Sequence, residues 1–336
     1  MAAGGIIDVG TGAAQAIGRY FSVISVIPSS LYVAFVYLLI ASGSWDHSPD
    51  WSQAFASFEH MSIGGIGALV FLSVALGLVI HPVQFALVQF LEGYWGTSPL
   101  LQRLRVRRIL HYQRLCRELR RQSTDAAKQL ETLTKSKGAA GAERALLISR
   151  RAEALRIRDY FPSSTDHIMP TRLGNMLRRY ESQAGRQFGL DALQAVPHLL
   201  AIAPESHVEY LSDQRSQLDL AVRVTFMSAA ASATAVLFLW PHGLWILVAA
   251  IPYALSYLAY RGAVVAGGHY GAALDMLINL DRFALYEQLR LPRPVDTAAE
   301  RLKNEQMQLL FTYNPVEVIR YEHPAPEASQ GAAPGN

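Results

Sequence analysis

SIGGIGALVFLSVALGLVI, running from Ser62 to Ile80, contains no charged side chain. A bilayer core about 30 Å thick needs roughly 20 mostly apolar residues in helical form, so this one stretch moves the chain out of the water-soluble classes. Three other blocks match it: Ser22 to Ala41 with Pro28 near its start, Leu220 to Trp240, and Leu244 to Tyr260. Pro241, His242 and Gly243 separate the last two, which read as a tight helical hairpin with Trp240 and Trp245 at the headgroup boundary. Composition agrees. Of the 336 residues 51% are hydrophobic and 17% charged, where a soluble domain carries about 25% charged residues. One cysteine, Cys116, excludes a disulfide scaffold and any multi-cysteine metal site.

The net charge is only +3, but it is distributed unevenly. Residues 94–219 hold 21 of the 30 Lys and Arg against 13 of the 27 acidic residues, a net of +8. The connector from Ser42 to Met61 has no Lys or Arg and carries Asp46, Asp50 and Glu59. Basic residues close to a span stay on the cytoplasmic side. The middle segment and both termini are therefore expected inside and the acidic connector outside. Cleavage of a leader after Ala41 is disfavoured, because about 20 residues precede the apolar block and Arg19 is their one basic residue. A fifth span over 261–281 is disfavoured by His269 and Asp275.

Beyond the second span, His81-Pro82 kinks or breaks the helix, and Val83 to Trp95 reads as an exit helix lying along the interface. Ile109, Tyr112, Cys116, Leu119, Ser123, Ala126, Leu130 and Leu133 follow alternating steps of three and four, the seam of a coiled-coil helix. Gly138 and Gly141 mark a turn. Ala145, Ile148, Ala152 and Leu155 then repeat the spacing, so an antiparallel hairpin buries one stripe against the other. Pairing of two copies through these seams satisfies the same pattern. Arg103, Arg105, Arg107 and Arg108 sit where anionic inner-leaflet headgroups would meet them, at about 1 kcal/mol each near the surface. No nucleic-acid module accompanies them, so no nucleic acid is expected. Thr171 is a candidate N-cap for a short helix and Asp191 for the next. The helix opening at Pro204-Glu205-Ser206 runs unbroken into the third span. After Arg261, Asp275, Asn279, Arg282 and Tyr286 form a polar stripe opposite Ala273, Leu277, Leu280 and Ala284. This amphipathic helix ends near Leu291-Pro292, a shorter one spans Ala298 to Phe311, and a disordered tail follows Glu322.

The run Met169-Pro170-Thr171-Arg172-Leu173-Gly174-Asn175, with Leu177, Arg178, Tyr180, Gly189-Leu190-Asp191-Ala192, Pro197 and Leu218-Asp219, resembles a block shared by a family of bacterial multi-pass membrane proteins. Val196 stands where that pattern tends to have an aromatic residue. The resemblance implies no activity. It implies that Thr171, Arg172 and Asn175 build a structured element, either by capping and internal hydrogen bonding or as a docking surface together with Arg178 and Arg179.

The sequence carries few marks of chemistry. The ten histidines fall singly, and no Walker, nucleophile-elbow or kinase pattern occurs, so neither metal nor cofactor nor enzymatic activity is expected. Gly64, Gly65 and Gly67 lie inside a span, where small residues permit close helix contact. Arg223, one turn inside the third span, either snorkels to the inner interface or pairs within the bundle; the nearby surface favours snorkelling. The expected fold is all-α: four transmembrane helices and an inserted cytosolic helical domain holding the antiparallel hairpin. Its segments are 1–21 (cytosolic), 22–95 (first pair with exit helix), 96–219 (cytosolic domain), 220–260 (second hairpin), 261–321 (amphipathic helices) and 322–336 (tail). The functional expectation is an inner-membrane anchor or signalling component whose cytosolic domain docks a protein partner. The alternative is a homo-oligomeric pore, transport subunit or membrane-permeabilising defence effector.

Overall fold

The computed structural model describes residues 26–135, 141–312 and 319–322, and every regular element among them is helical. Residues 22–25 of the first span, the turn around Gly138 and the tail beyond Glu322 lie outside the described residues. Three helical stretches are long and apolar enough to cross a membrane: Ile63–Glu92, Glu205–Leu239 and Gly243–Gln288. On them rests the reading of the chain as membrane-associated.

Local chemistry sets the boundaries. Helix α1 (Ile27–Ala41) takes Pro28 in its first turn, and the hydroxyls of Ser42 and Ser44 close its end by donating to the Leu39 carbonyl at 2.8 and 2.6 Å. The acidic connector folds into a short helix that the sequence reading left without structure, α2 (Trp51–Glu59). Asp50 caps it by accepting from the amides of Ser52 and Gln53. A bond from the Ser52 hydroxyl at 2.6 Å, and after it those two amide bonds, hold the Asp50 carboxyl below the usual carboxylate range. Ser62 caps α3 (Ile63–Ile80). His81–Val83 then makes one tight 3-10 turn and passes straight into α4 (Gln84–Glu92), so the helical path continues through Pro82. Gly93, at φ +108°, terminates α4 in the left-handed region.

The hairpin consists of α5 (Pro99–Lys135) and α6 (Gly141–Arg158). Tyr112, Cys116, Leu119 and Ala126 are buried along α5, as the seam spacing predicts. On α6 the outcome differs. Leu147 and Ala154 face the partner helix, whereas Ile148 and Leu155 are 51% and 45% exposed. Helix α6 carries two three-four stripes. The one that packs leads through Ile157 to Phe161, which joins Tyr112, Cys116 and Ile168 in one cluster.

Helices α7 (Arg172–Gln183) and α8 (Ala192–Leu200) precede α9 (Glu205–Leu239), which is continuous over 35 residues. A 3-10 turn over Gly243–Ala249 opens the expected fourth span, and α10 (Ala250–Gln288) runs past Arg261 without a break. The sequence reading puts the inner membrane boundary at Arg261; the helix itself passes that residue, because a lone exposed arginine inside a helix-forming sequence does not end hydrogen bonding. Helix α11 (Thr297–Phe311) is capped by Asp296.

The helices group into two compact units. Unit 1 comprises the described residues up to Arg179 and Leu211–Gly271; unit 2 comprises Tyr180–Tyr210 and the described residues from Ala272 onward. Within unit 1, hydroxyls tie the apolar helices together. Ser232 donates to the Ala249 carbonyl and Ser256 to that of Thr225, each at 2.9 Å, and Tyr32 meets Thr234 at 3.3 Å. At one end, His242 bonds the Ser44 carbonyl at 2.8 Å, and Trp51 packs on Trp245 with ring centroids 6.1 Å apart. Unit 2 is held by a polar core. Arg282 pairs with Glu300 at 2.7 Å and stacks on Phe188 at 3.9 Å, while Asn304 receives the Tyr286 hydroxyl and donates to the Phe188 carbonyl at 2.7 Å. Part of the polar stripe is therefore interior: Tyr286 is fully buried, and Leu280, assigned to the apolar side, is exposed.

Candidate functional site

Two arrangements in unit 1 bring buried polar residues together. The first lies on α9, where Arg215, Asp219 and Arg223 follow one another at four-residue steps and share a face. Arg223 is 1% exposed and its Nε donates to Gln84 Oε1 at 3.1 Å. Gln84 Nε2 donates in turn to the Asp219 main-chain carbonyl at 3.0 Å. Arg215 Nε lies 3.4 Å from the Asp219 carboxylate, and its guanidinium covers the Tyr270 ring at 5.4 Å. Arg223 thus pairs inside the bundle and does not snorkel. The Gln84 amide oxygen accepts from its Nε and offsets part of its desolvation, which an isolated buried guanidinium could not sustain. Gln84 was not singled out from the sequence. Its one signal is being the first polar side chain after Pro82, in a mostly apolar exit helix.

The second arrangement is the Pro-Thr-Arg-Leu-Gly-Asn block. Asn175 is fully buried, and its amide closes the preceding loop. Nδ2 donates to the carbonyls of Met169 at 2.8 Å and Thr171 at 2.6 Å, and Oδ1 accepts from the Met169 amide at 2.8 Å. Thr171 Oγ1 accepts from the Gly174 amide, capping α7, and donates to the Glu92 carbonyl, both at 2.9 Å. The loop is therefore fastened to the open C-terminal end of α4, where carbonyls lack helical partners. On its other side α7 lies against α10, where Gly267 and Gly268 leave room for Leu173 and Met176.

The residues assigned to docking therefore part company. Thr171 and Asn175 are internal fasteners. Arg172 is exposed, and its main-chain amide donates to the Tyr260 hydroxyl at 3.2 Å. Arg179 is bound to Asp159 by an ion pair at 3.7 Å and by a bond to its carbonyl. Arg178 is half-buried. Among the arginines assigned to headgroups, Arg103 and Arg107 are exposed and Arg105 is half-buried. Arg108 is engaged internally, donating to the Tyr112 hydroxyl at 3.0 Å and to the Pro170 carbonyl at 3.5 Å. Cys116 sits in the hairpin seam, where burial pushes its thiol up from the ordinary value near 9.0. Among the described residues no three His, Cys, Asp or Glu side chains converge closely enough to hold a metal ion. Comparison with protein-family models, curated proteins and solved structures finds no match to this chain.

Proposed function

We propose that the chain is a four-span protein of a bacterial inner membrane, with both termini cytoplasmic, that docks a protein partner on its inserted cytosolic helical domain and couples it to the bilayer. Ser22–Ala41 supplies the fourth span besides the three long apolar helices. The basic surplus of residues 94–219 supports the inside placement of the hairpin.

One observation carries the docking reading. Ala145, Ile148, Ala152 and Leu155 keep coiled-coil spacing on α6 yet face outward, with Ile148 and Leu155 about half exposed. A seam of this kind is a helix-in-groove surface awaiting its second helix. Residues 99–158 carry 16 Lys and Arg against 5 Asp and Glu, so the complementary occupant is an acidic amphipathic helix of another protein. Arg172 extends the basic surface; Thr171 and Asn175 act as its support. The unbroken α9, with Arg215 and Asp219 before the apolar stretch, provides a stiff path along which docking could bias the spans.

A photo-crosslinking amino acid at Ile148 or Leu155 in the full chain tests this. The expected product is a discrete heteromeric adduct that disappears in the I148D/L155D variant while the protein stays in the membrane fraction. A chain that crosslinks to nothing, or only to itself, overturns the partner-docking reading.

A further inference from the structure

Where the apolar run of α10 ends, a cavity of about 270 Å³ opens between α5, α6, α7 and α10, entirely within unit 1. Its polar lining is Arg156, Arg172, Arg261, Tyr160 and Tyr260; no Asp or Glu contributes. Three exposed arginines from three helices thus line one cavity with positive charge, which an anion would neutralise. Among the described residues none of the three is paired with a carboxylate. Asp159, next to Tyr160, is taken by Arg179. The cluster is also outside the positive-inside row at 103–108, so it needs its own explanation.

A second observation concerns access. Ile251, Leu255 and Leu258 are 72%, 47% and 62% exposed along α10. The same three-four stripe continues through Gly262, whose α-carbon faces open space, to the half-exposed Val265 in the cavity wall. An apolar track thus leads from the spanning part of α10 to a basic, tyrosine-lined cavity at its end. That sequence of surfaces, hydrocarbon then cation, matches an acyl chain followed by its phosphate.

We propose that this cavity binds the phosphate group of an anionic phospholipid, with Arg156, Arg172 and Arg261 as its ligands and the acyl chains lying on the Ile251–Leu255–Leu258 track. Guanidinium is the side chain suited to phosphate, because its planar fork donates two parallel hydrogen bonds to a pair of oxygens. The volume admits a headgroup and excludes a whole lipid. The inference goes beyond the docking reading: it shares Arg172 with that basic surface but does not use the Ala145–Ile148–Ala152–Leu155 stripe of α6.

The test uses the full chain in neutral detergent, with dioleoyl phosphatidate, dioleoyl phosphatidylcholine and inorganic phosphate as probes in native mass spectrometry. Phosphatidate is expected to bind at least about tenfold more tightly than phosphatidylcholine, as charge-assisted contacts allow. R156Q/R172Q/R261Q should lose that preference, and R114Q/R117Q/R120Q, with the same charge removed from exposed positions elsewhere on α5, should keep it. V265W, which obstructs the cavity mouth without changing charge, should lose it as well and covers the case in which the first triple variant does not fold. Equal losses in both triple variants, or none in the cavity variants, overturn the proposal. Inorganic phosphate that binds with the same variant dependence, while phosphatidate gains nothing over it, assigns the cavity to a soluble phosphate and overturns the lipid source.

Discussion

A β-carbon added to Gly174 would stand 2.0 Å from the carbonyl oxygen of Glu92 and 2.9 Å from Thr171 Oγ1. The collision is with main chain, so no side-chain rotation relieves it. Gly93 makes the reciprocal approach, with φ +108° and Pro170 Cγ 2.2 Å from its missing β-carbon. Glycine at 174 is what lets the loop reach the end of α4. Gly174→Ala should therefore destabilise unit 1 by at least about 2 kcal/mol through overpacking, read as a lower Tm in detergent. Gly262→Ala is the control: its site is open, and alanine in a helix interior gains up to about 1 kcal/mol over glycine. Equal Tm values for the two variants would count against the fastening role.

How far the sequence reveals this arrangement depends on the range of each interaction. Caps formed within one turn are legible: Thr171 and Asp191 were expected at helix starts and bond the amides of Gly174 and Leu193. The α5 seam is legible too, because a single stripe there satisfies the spacing. On α6 two stripes do, and only the partner's shape selects Leu147 and Ala154. Gln84 and Arg223 lie 139 residues apart, and Thr171 and Glu92 lie 79 apart. Nothing local marks such pairs. The burial of Asn175 is hidden for the same reason, since an asparagine beside a helix start reads equally well as surface.

The Gln84–Arg223 contact predicts a measurable coupling. Gln84→Ala removes an acceptor from a buried guanidinium and leaves the Asp219 carbonyl without its amide donor, at about 1–3 kcal/mol. Arg223→Met substitutes a chain of similar reach that needs no partner. A double-mutant cycle in detergent should give a coupling of at least about 0.5 kcal/mol between the two sites. Additive effects would show that the hydrogen bond contributes nothing to the bundle.

Cys116 gives a prediction in pH. Burial in the hairpin raises its thiol above the ordinary value near 9.0, so the folded state favours the neutral form. The stability tied to it is fully present below the unfolded value, near 9.0, and is lost as pH rises through the folded one. Since the thiolate is the reacting species, alkylation of the native protein at pH 8 should run at least about tenfold slower than in denaturant. The rate should climb only above pH 9.0. An inflection at or below that value would mean that the seam is open to water.

Orientation is the prediction on which the docking reading stands, and it can be argued from both sides of the membrane. Ser48 is exposed in the connector that has no Lys or Arg; Thr132 is exposed near the end of α5, within the basic segment. In a Cys116→Ala background, Ser48→Cys should react with a membrane-impermeant maleimide in intact cells, and Thr132→Cys only after permeabilisation. Charge is the stated cause, so charge should also move the outcome. R103Q/R105Q/R107Q leaves the internal contacts of Arg108 in place while removing three cations within about 20 residues of the preceding apolar helix, where such residues act on topology. A fraction of that variant should label at Thr132→Cys without permeabilisation. Labelling of Thr132→Cys in the unaltered background in intact cells would put the hairpin outside, and no cytosolic partner could then reach α6.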